Sequence, residues 1–146
     1  MNTADDPAPD VLARTLEEAG FESLWYGEHS HIPASRITPY PAGGELPAPY
    51  RKMMDPYVSL MAAAAVTTRL KLGTGIALLM ERELFSQAKT IATLDRLSGG
   101  RLLIGCGVGW NEEEFTNATR LPWGRRYLAL EETVQAQRAL FSEVEP

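Results

Sequence analysis

Cysteine is nearly absent: Cys106 is the only one. That excludes an internal disulfide and any multi-cysteine metal site. Histidine is scarce too, with His29 and His31 alone, so no histidine-rich metal centre is expected, and none is assigned to the pair. No run of about 18 apolar residues occurs, which excludes a transmembrane helix of the ordinary kind. No cluster of basic residues exists, and the formal net charge is −5. Phosphate contacts supply most non-specific nucleic-acid affinity, so nucleic acid is not an expected partner, and neither is an anionic membrane surface. Residues 1–10 (MNTADDPAPD) carry neither a basic segment nor an apolar one. A secretory signal is therefore not expected, and a reducing cytoplasm is the expected compartment.

What remains is the composition of a folded domain: 146 residues, 45% hydrophobic and 23% charged. A chain of this size can bury about two-thirds of its unfolded surface in one core. The pattern along it alternates helix and strand. Asp10 is expected to cap a helix over VLARTLEEAG, with Val11, Leu12, Leu16 and Ala19 on one face and Gly20 ending it. Ser23 to Tyr26 reads as a short strand. Residues 29–54 hold Pro33, Pro39, Pro41, Pro47, Pro49 and the Gly43–Gly44 pair, with neither helical nor strand period. A loop this long in a compact domain is either functional or a mobile surface excursion.

Asp55–Pro56 then opens a second helix, with a cap followed by proline at the first helical position. LKLGTGIALL (70–79) is continuously apolar and reads as a strand covered on both faces, as in a parallel sheet. A third helix is expected from Glu83 to Leu97, and Ser98–Gly99–Gly100 stops it. RLLIGCGVGW (101–110) is a third strand running into a glycine-rich turn. A last helix follows Trp123–Gly124, with Tyr127, Leu130, Val134 and Phe141 on one stripe.

Strand–helix alternation predicts a parallel sheet with right-handed crossovers, in an α/β fold. Two architectures satisfy it, a doubly wound sheet and a slice of a (β/α)8 barrel; three strands are too few for a closed barrel. In both, ligands bind at the C-terminal ends of the strands. Three candidates occupy such ends. Glu28–His29 follows the first strand, where a histidine can exchange protons near neutral pH. Gly73–Thr74–Gly75–Ile76 closes the second; glycine there permits close approach of a flat ligand, or simply a bulge. Gly105–Cys106–Gly107–Val108–Gly109–Trp110 closes the third. Read as a dinucleotide fingerprint it fails, because the glycine required three positions further on is Trp110 or Glu112. Cys106 sits in an apolar strand and is expected to be inert core.

The segments GFESLWYGEHSHIP, RLKLGTGIALL and LDRLSGGRLLIGCGVGWNEEEF resemble the luciferase-like monooxygenase superfamily, and most closely its branch that uses the deazaflavin coenzyme F(420). The likeness runs from about Val11 to Phe141. It implies a partial (β/α)8 TIM barrel covering strands two to four with their helices, in one domain over residues 1–146. Residues 1–10 stand atypically where that family has its first strand.

The likeness further implies an oxidoreductase acting on a small organic substrate, with coenzyme F(420), or alternatively FMN, at the C-terminal face. Hydride transfer or oxygen-dependent oxidation would be its chemistry. His29 matches the family's ring-side histidine and Glu28 the acid before it. Gly75–Ile76 matches a bond that is cis in several members. Gly107, Gly109, Trp110 and Asn111 match the glycine-rich stretch near the ring. The alternative is a catalytically inactive fragment or an assembly module. Because a barrel slice has apolar edges around Leu24 and Leu103, self-association into a homo-oligomer is expected.

Overall fold

The computed structural model describes residues 1–142. Its elements are α1 (Pro9–Glu18), β1 (Ser23–Tyr26), α2 (Pro56–Ala64), β2 (Lys71–Ala77), α3 (Leu84–Ser98), β3 (Leu102–Cys106), α4 (Glu112–Ala118) and α5 (Arg126–Ser142). The strands form one parallel sheet in the order β1–β2–β3, with Leu24 opposite Leu72 and Gly73 opposite Leu103.

Local chemistry sets most boundaries. Asp55 caps α2 by accepting the Val58 amide at 2.9 Å, with Pro56 beginning the helix. Glu83 caps α3 through the Phe85 and Ser86 amides, and Gly99 ends it in the left-handed conformation (φ 73°). Asp10 does not cap α1. Pro9 takes the first helical turn and Ala8 precedes it, because proline's fixed φ and missing N–H suit that position. The strands are shorter than the apolar runs that signal them. Leu78 leaves the sheet for a short 3-10 turn at Leu79–Glu81, and residues beyond Cys106 form the turn into α4.

Alternation along the strands explains the architecture. Leu24, Tyr26, Leu72 and Ala77 are buried against Leu60 of α2 and Ile91 and Leu94 of α3. The opposite face carries Trp25, Ile76 and Leu103, each 39–47% exposed. The sheet is thus layered with helices on one face only, as in a sector of a barrel and unlike a doubly wound sheet. Coverage of β2 on both faces, expected from its apolar run, holds only at Gly73. There the Trp25 ring lies across the strand so closely that an added Cβ would come within 2.2 Å of it. Gly73→Ala is therefore expected to swing Trp25 outward and break its Nε1 hydrogen bond to Ser23 Oγ (2.8 Å). The check is tryptophan emission: a red shift is expected in the wild-type background and none in a Trp25→Ala background.

At the N-terminal ends of the strands, two side chains staple the connections. Arg101 donates to the Leu70 and Ala64 carbonyls and to Thr67 Oγ1, at 2.8–3.0 Å. Glu17 accepts the Thr68, Arg69 and Leu70 amides, and those hydrogen bonds hold its carboxyl down at about 2. A depressed carboxyl stabilises the fold above its unfolded value of 4.5, and loses that contribution as pH falls toward 2. Glu17→Gln is expected to flatten the fall in thermal midpoint across that acid window. An unchanged slope would contradict this.

Candidate active site

The long 29–54 segment contains one short 3-10 turn, Ala48–Lys52, and crosses the C-terminal ends of the strands instead of lying along an edge. Two amides fasten it to α4, and one contact between its own tyrosines closes it on itself. Ile37 and Thr38 donate their amides to Glu113 Oε1 (2.7 and 3.1 Å), which holds the Glu113 carboxyl at about 2 through the Thr38 and Ile37 bonds. Tyr40 and Tyr50 share a hydroxyl contact at 3.2 Å. The N-terminal residues complete the roof: Asn2 is buried, accepts the Met54 amide and donates to Ser59 Oγ, and Thr3 bridges Met53 antiparallel. No strand pattern is visible in residues 1–10, and none forms beyond this single bridge.

Under that roof is a cleft of about 370 Å³, within the range of small-molecule sites. Its lining brings together Glu28 and His29 from the end of β1, Gly75 and Ile76 from β2, and Trp110 from the turn after β3. The Gly75–Ile76 peptide is cis. Met1, Tyr50 and Met53 close the remaining side. The other three glycine-stretch candidates lie behind this wall. Gly107 backs Ile76, whose Cδ1 would be 2.4 Å from an added Cβ. Gly109 adopts φ 71° beside Leu78. Asn111 is buried and caps α4, accepting the Glu114 amide at 3.4 Å.

The two lead residues are held differently. Glu28 is buried, and its carboxylate is occupied. Oε2 accepts the Leu78 amide at 2.8 Å and Oε1 accepts Arg82 Nε at 2.6 Å, while Arg82 also pairs with Asp55 at 2.6 Å. Glu28 thereby locks the end of β2 to the end of β1. His29 lies between the Tyr50 and Trp110 rings, edge-on at 5.3 and 5.7 Å. Its Nδ1 is 2.6 Å from Glu114 Oε2. Among the described residues no protein group bonds Nε2, which leaves that nitrogen for a molecule in the cleft.

Glu114 was not legible as a site residue. It sits on α4, a seven-residue helix too short to show a period, and 85 residues from its partner. The signal that was available is the Asn111-x-x-Glu114 capping pattern with acids in the first turn. Glu114 is 1% exposed, and its Oε1 accepts the Ser30 amide at 2.6 Å. Nearby, Glu81 is raised to about 7, first by burial and then by the charge of Glu114. Among the described residues no group of three metal-ligating side chains converges, and no helix is long and apolar enough to cross a membrane.

Comparison with known proteins agrees with this geometry. The chain is 43% identical over 140 residues to an uncharacterized protein of Mycobacterium tuberculosis, covering 94% of this chain and 49% of that one. It is 34% identical over 98 residues to the 4-hydroxyprotoasukamycin monooxygenase of Streptomyces nodosus, covering 67% of this chain and 22% of the enzyme. Among solved structures it superposes on a monooxygenase from Streptomyces bottropensis with a TM-score of 0.74 at 29% identity, over 93% of this chain and 36% of the other. The fold also matches the oxygenating constituent of the 3,6-diketocamphane monooxygenase of Pseudomonas putida, solved with FMN (TM-score 0.71, 19% identity, 90% and 33% covered). The chain spans about half the length of the first of these relatives, and less of the others. The model of the luciferase-like monooxygenases matches residues 11–146. The chain belongs to the luciferase-like monooxygenase family.

Proposed function

We propose that the cleft takes the ring system of a flavin-type cofactor, and that the chain contributes the ring-side half of an oxidoreductase site acting on a small organic substrate. The observation that carries this reading is the convergence of His29, Gly75–Ile76 and Trp110, from three strand ends, on one cleft. The residues fit such a ring. The walls are apolar or aromatic, Ile76 stands partly exposed toward the opening, and one imidazole nitrogen is unengaged. The lining, among the described residues, has no lysine or arginine, so it suits the ring and not a phosphate tail. A bound flavin or deazaflavin would supply hydride or oxygen chemistry.

The chain's own residues then divide the work. His29 exchanges a proton at Nε2. Glu28 positions it by fixing the β1–β2 junction. Trp110 and Tyr50 exclude water from the imidazole. Gly107, Gly109 and Asn111 shape the wall from behind. Coenzyme F(420) is our first choice of cofactor and FMN the alternative. Fluorescence titration of the chain with each one tests both choices. Weak, saturable binding of the deazaflavin, with less or none of FMN, is expected; preference for FMN would overturn the F(420) choice, and binding of neither would overturn the site.

The open sheet face favours a second property of the same chain. Trp25, Ile76 and Leu103 expose apolar surface at both strand edges and between them, and the edges carry unpaired backbone groups. We propose that the chain self-associates through this face. Sedimentation at micromolar concentration should show dimers or larger species, and a concentration-independent monomer would contradict it.

A further inference from the structure

Holding a ring does not account for the polar cluster on the other side of His29. The Ser30 hydroxyl there lies 2.8 Å from Glu81 Oε2, 3.0 Å from His31 Nδ1 and 3.2 Å from Glu114 Oε1. A serine hydroxyl has one proton to give and two lone pairs to offer. Ser30 can therefore donate to one of these neighbours, and the other two have to donate to it. Asn117 Nδ2 donates to His31 Nε2 at 3.1 Å, which leaves His31 Nδ1 as the ring nitrogen that donates to Ser30. One hydroxyl proton is left between two carboxyl groups. Glu114 already accepts the Ser30 amide on Oε1 and faces His29 Nδ1 with Oε2. For both remaining contacts to be hydrogen bonds, one carboxyl must be neutral; Glu114, whose two oxygens already take the Ser30 amide and face His29, stays the carboxylate, which leaves the acid proton to Glu81.

We propose that Glu81, Ser30 and Glu114 form a proton relay joining His29 to the protein surface, with Glu81 as its outer end. The inner members are shielded, the His29 side chain being 8% exposed and that of Glu114 2%, while Ser30 is exposed and Glu81 half-buried. In uptake, Glu81 starts ionised with the Ser30 hydroxyl turned to it, and a proton arriving at His29 Nε2 displaces the Nδ1 proton to Glu114 Oε2. The Glu114 carboxyl turns that proton toward Ser30 Oγ, which accepts it as it passes its own to Glu81. One proton has entered at Nε2, and one is held on Glu81, where it exchanges with solvent. Delivery to the cleft runs through the same atoms in reverse.

The groups facing Glu81 are Glu114 from α4, and Glu28, His29 and Ser30 from the segment after β1. Their balance, with burial the largest influence, leaves Glu81 titrating at about 7, so both its loaded and empty states are populated near neutral pH. The destination of the proton rests on the proposed ring site; the relay does not.

The test needs no cofactor. Infrared spectra and nitrogen NMR of the His29 imidazole are followed against pH in the full chain, in Glu81→Gln and in Ser30→Ala. The amide that Glu81→Gln introduces keeps a hydrogen-bond donor toward Ser30 and so preserves the neutral-acid geometry. In the wild type, a protonated-carboxyl band is expected to titrate near neutral pH, with the His29 resonances following the same inflection. Glu81→Gln should lose both the band and the inflection. Ser30→Ala should keep the carboxyl titration, but its His29 resonances should no longer follow it. No neutral-range carboxyl band, or an identical His29 course in all three proteins, would overturn the relay. Failure of the ring site would show only as absent cofactor binding, with these titrations intact.

Discussion

Replacing His29 with alanine is expected to lower any oxidoreductase turnover of this chain by about a hundredfold or more, the usual scale for losing a positioned acid–base group. The expectation follows from how the imidazole is held. Glu114 engages Nδ1 at 2.6 Å, two aromatic rings fix the plane, and Nε2 is left toward the cleft. Among the described residues, the other titratable side chains lining the cleft are engaged elsewhere, the Glu28 carboxylate with Leu78 and Arg82 and the Tyr50 hydroxyl with that of Tyr40. The loss should fall on kcat more than on KM. Full retention of activity would make His29 a bystander. Loss confined to KM would make it a binding group.

The second large effect lies outside the cleft. Phe115→Ala is expected to destabilise the fold by about 3–5 kcal/mol, the range for truncating a fully buried phenylalanine. Phe115 is 0% exposed and packs edge-on to Trp123 at 5.3 Å, in a small cluster with Met80 and Ala129. That cluster is small and meets the main core only through Leu130 among the described residues, so its neighbours have few side chains with which to close the gap. Against a total stability of about 5–15 kcal/mol for a domain, the loss would be large. It should also reach the site, since α4 directs Phe115 into this cluster and the adjacent Glu114 onto His29. Urea unfolding measures the first effect and the His29 imidazole spectrum the second. A loss below about 1 kcal/mol would show that the cluster repacks freely.

How much of this was legible in the sequence depends on whether the signal is local. The strands and their order are carried by apolar runs ending in glycine, and the α2 and α3 starts by Asp55–Pro56 and Glu83. Those cues act within a few residues and survive into the structure. Pro9 was an equally local cue, and it outranks Asp10 because it fixes the first turn of α1. The strand-end positions of Glu28, His29, Gly75, Ile76 and Trp110 follow from topology, which is why they meet in one cleft.

The polar network could not be read the same way. Ser30 meets Glu81 and Glu114 across 51 and 84 residues, and no spacing rule links them. Neither could the path of residues 29–54 be read, since proline and glycine mark a loop without saying where it goes. Its course over the strand ends is fixed by Glu113 and Glu114, on a helix whose only buried apolar side chain is Phe115.

Fluorescence titration of the purified chain with FMN and with riboflavin, repeated on Trp110→Ala, tests the central claim most directly. The account places the ring, and not the phosphate, in the cleft. It therefore predicts weak, saturable quenching, with dissociation constants above about 1 μM that agree within a few-fold for the two flavins. Both should weaken in Trp110→Ala. Absence of saturable binding, sub-micromolar retention of FMN but not riboflavin, or binding indifferent to Trp110 would contradict it.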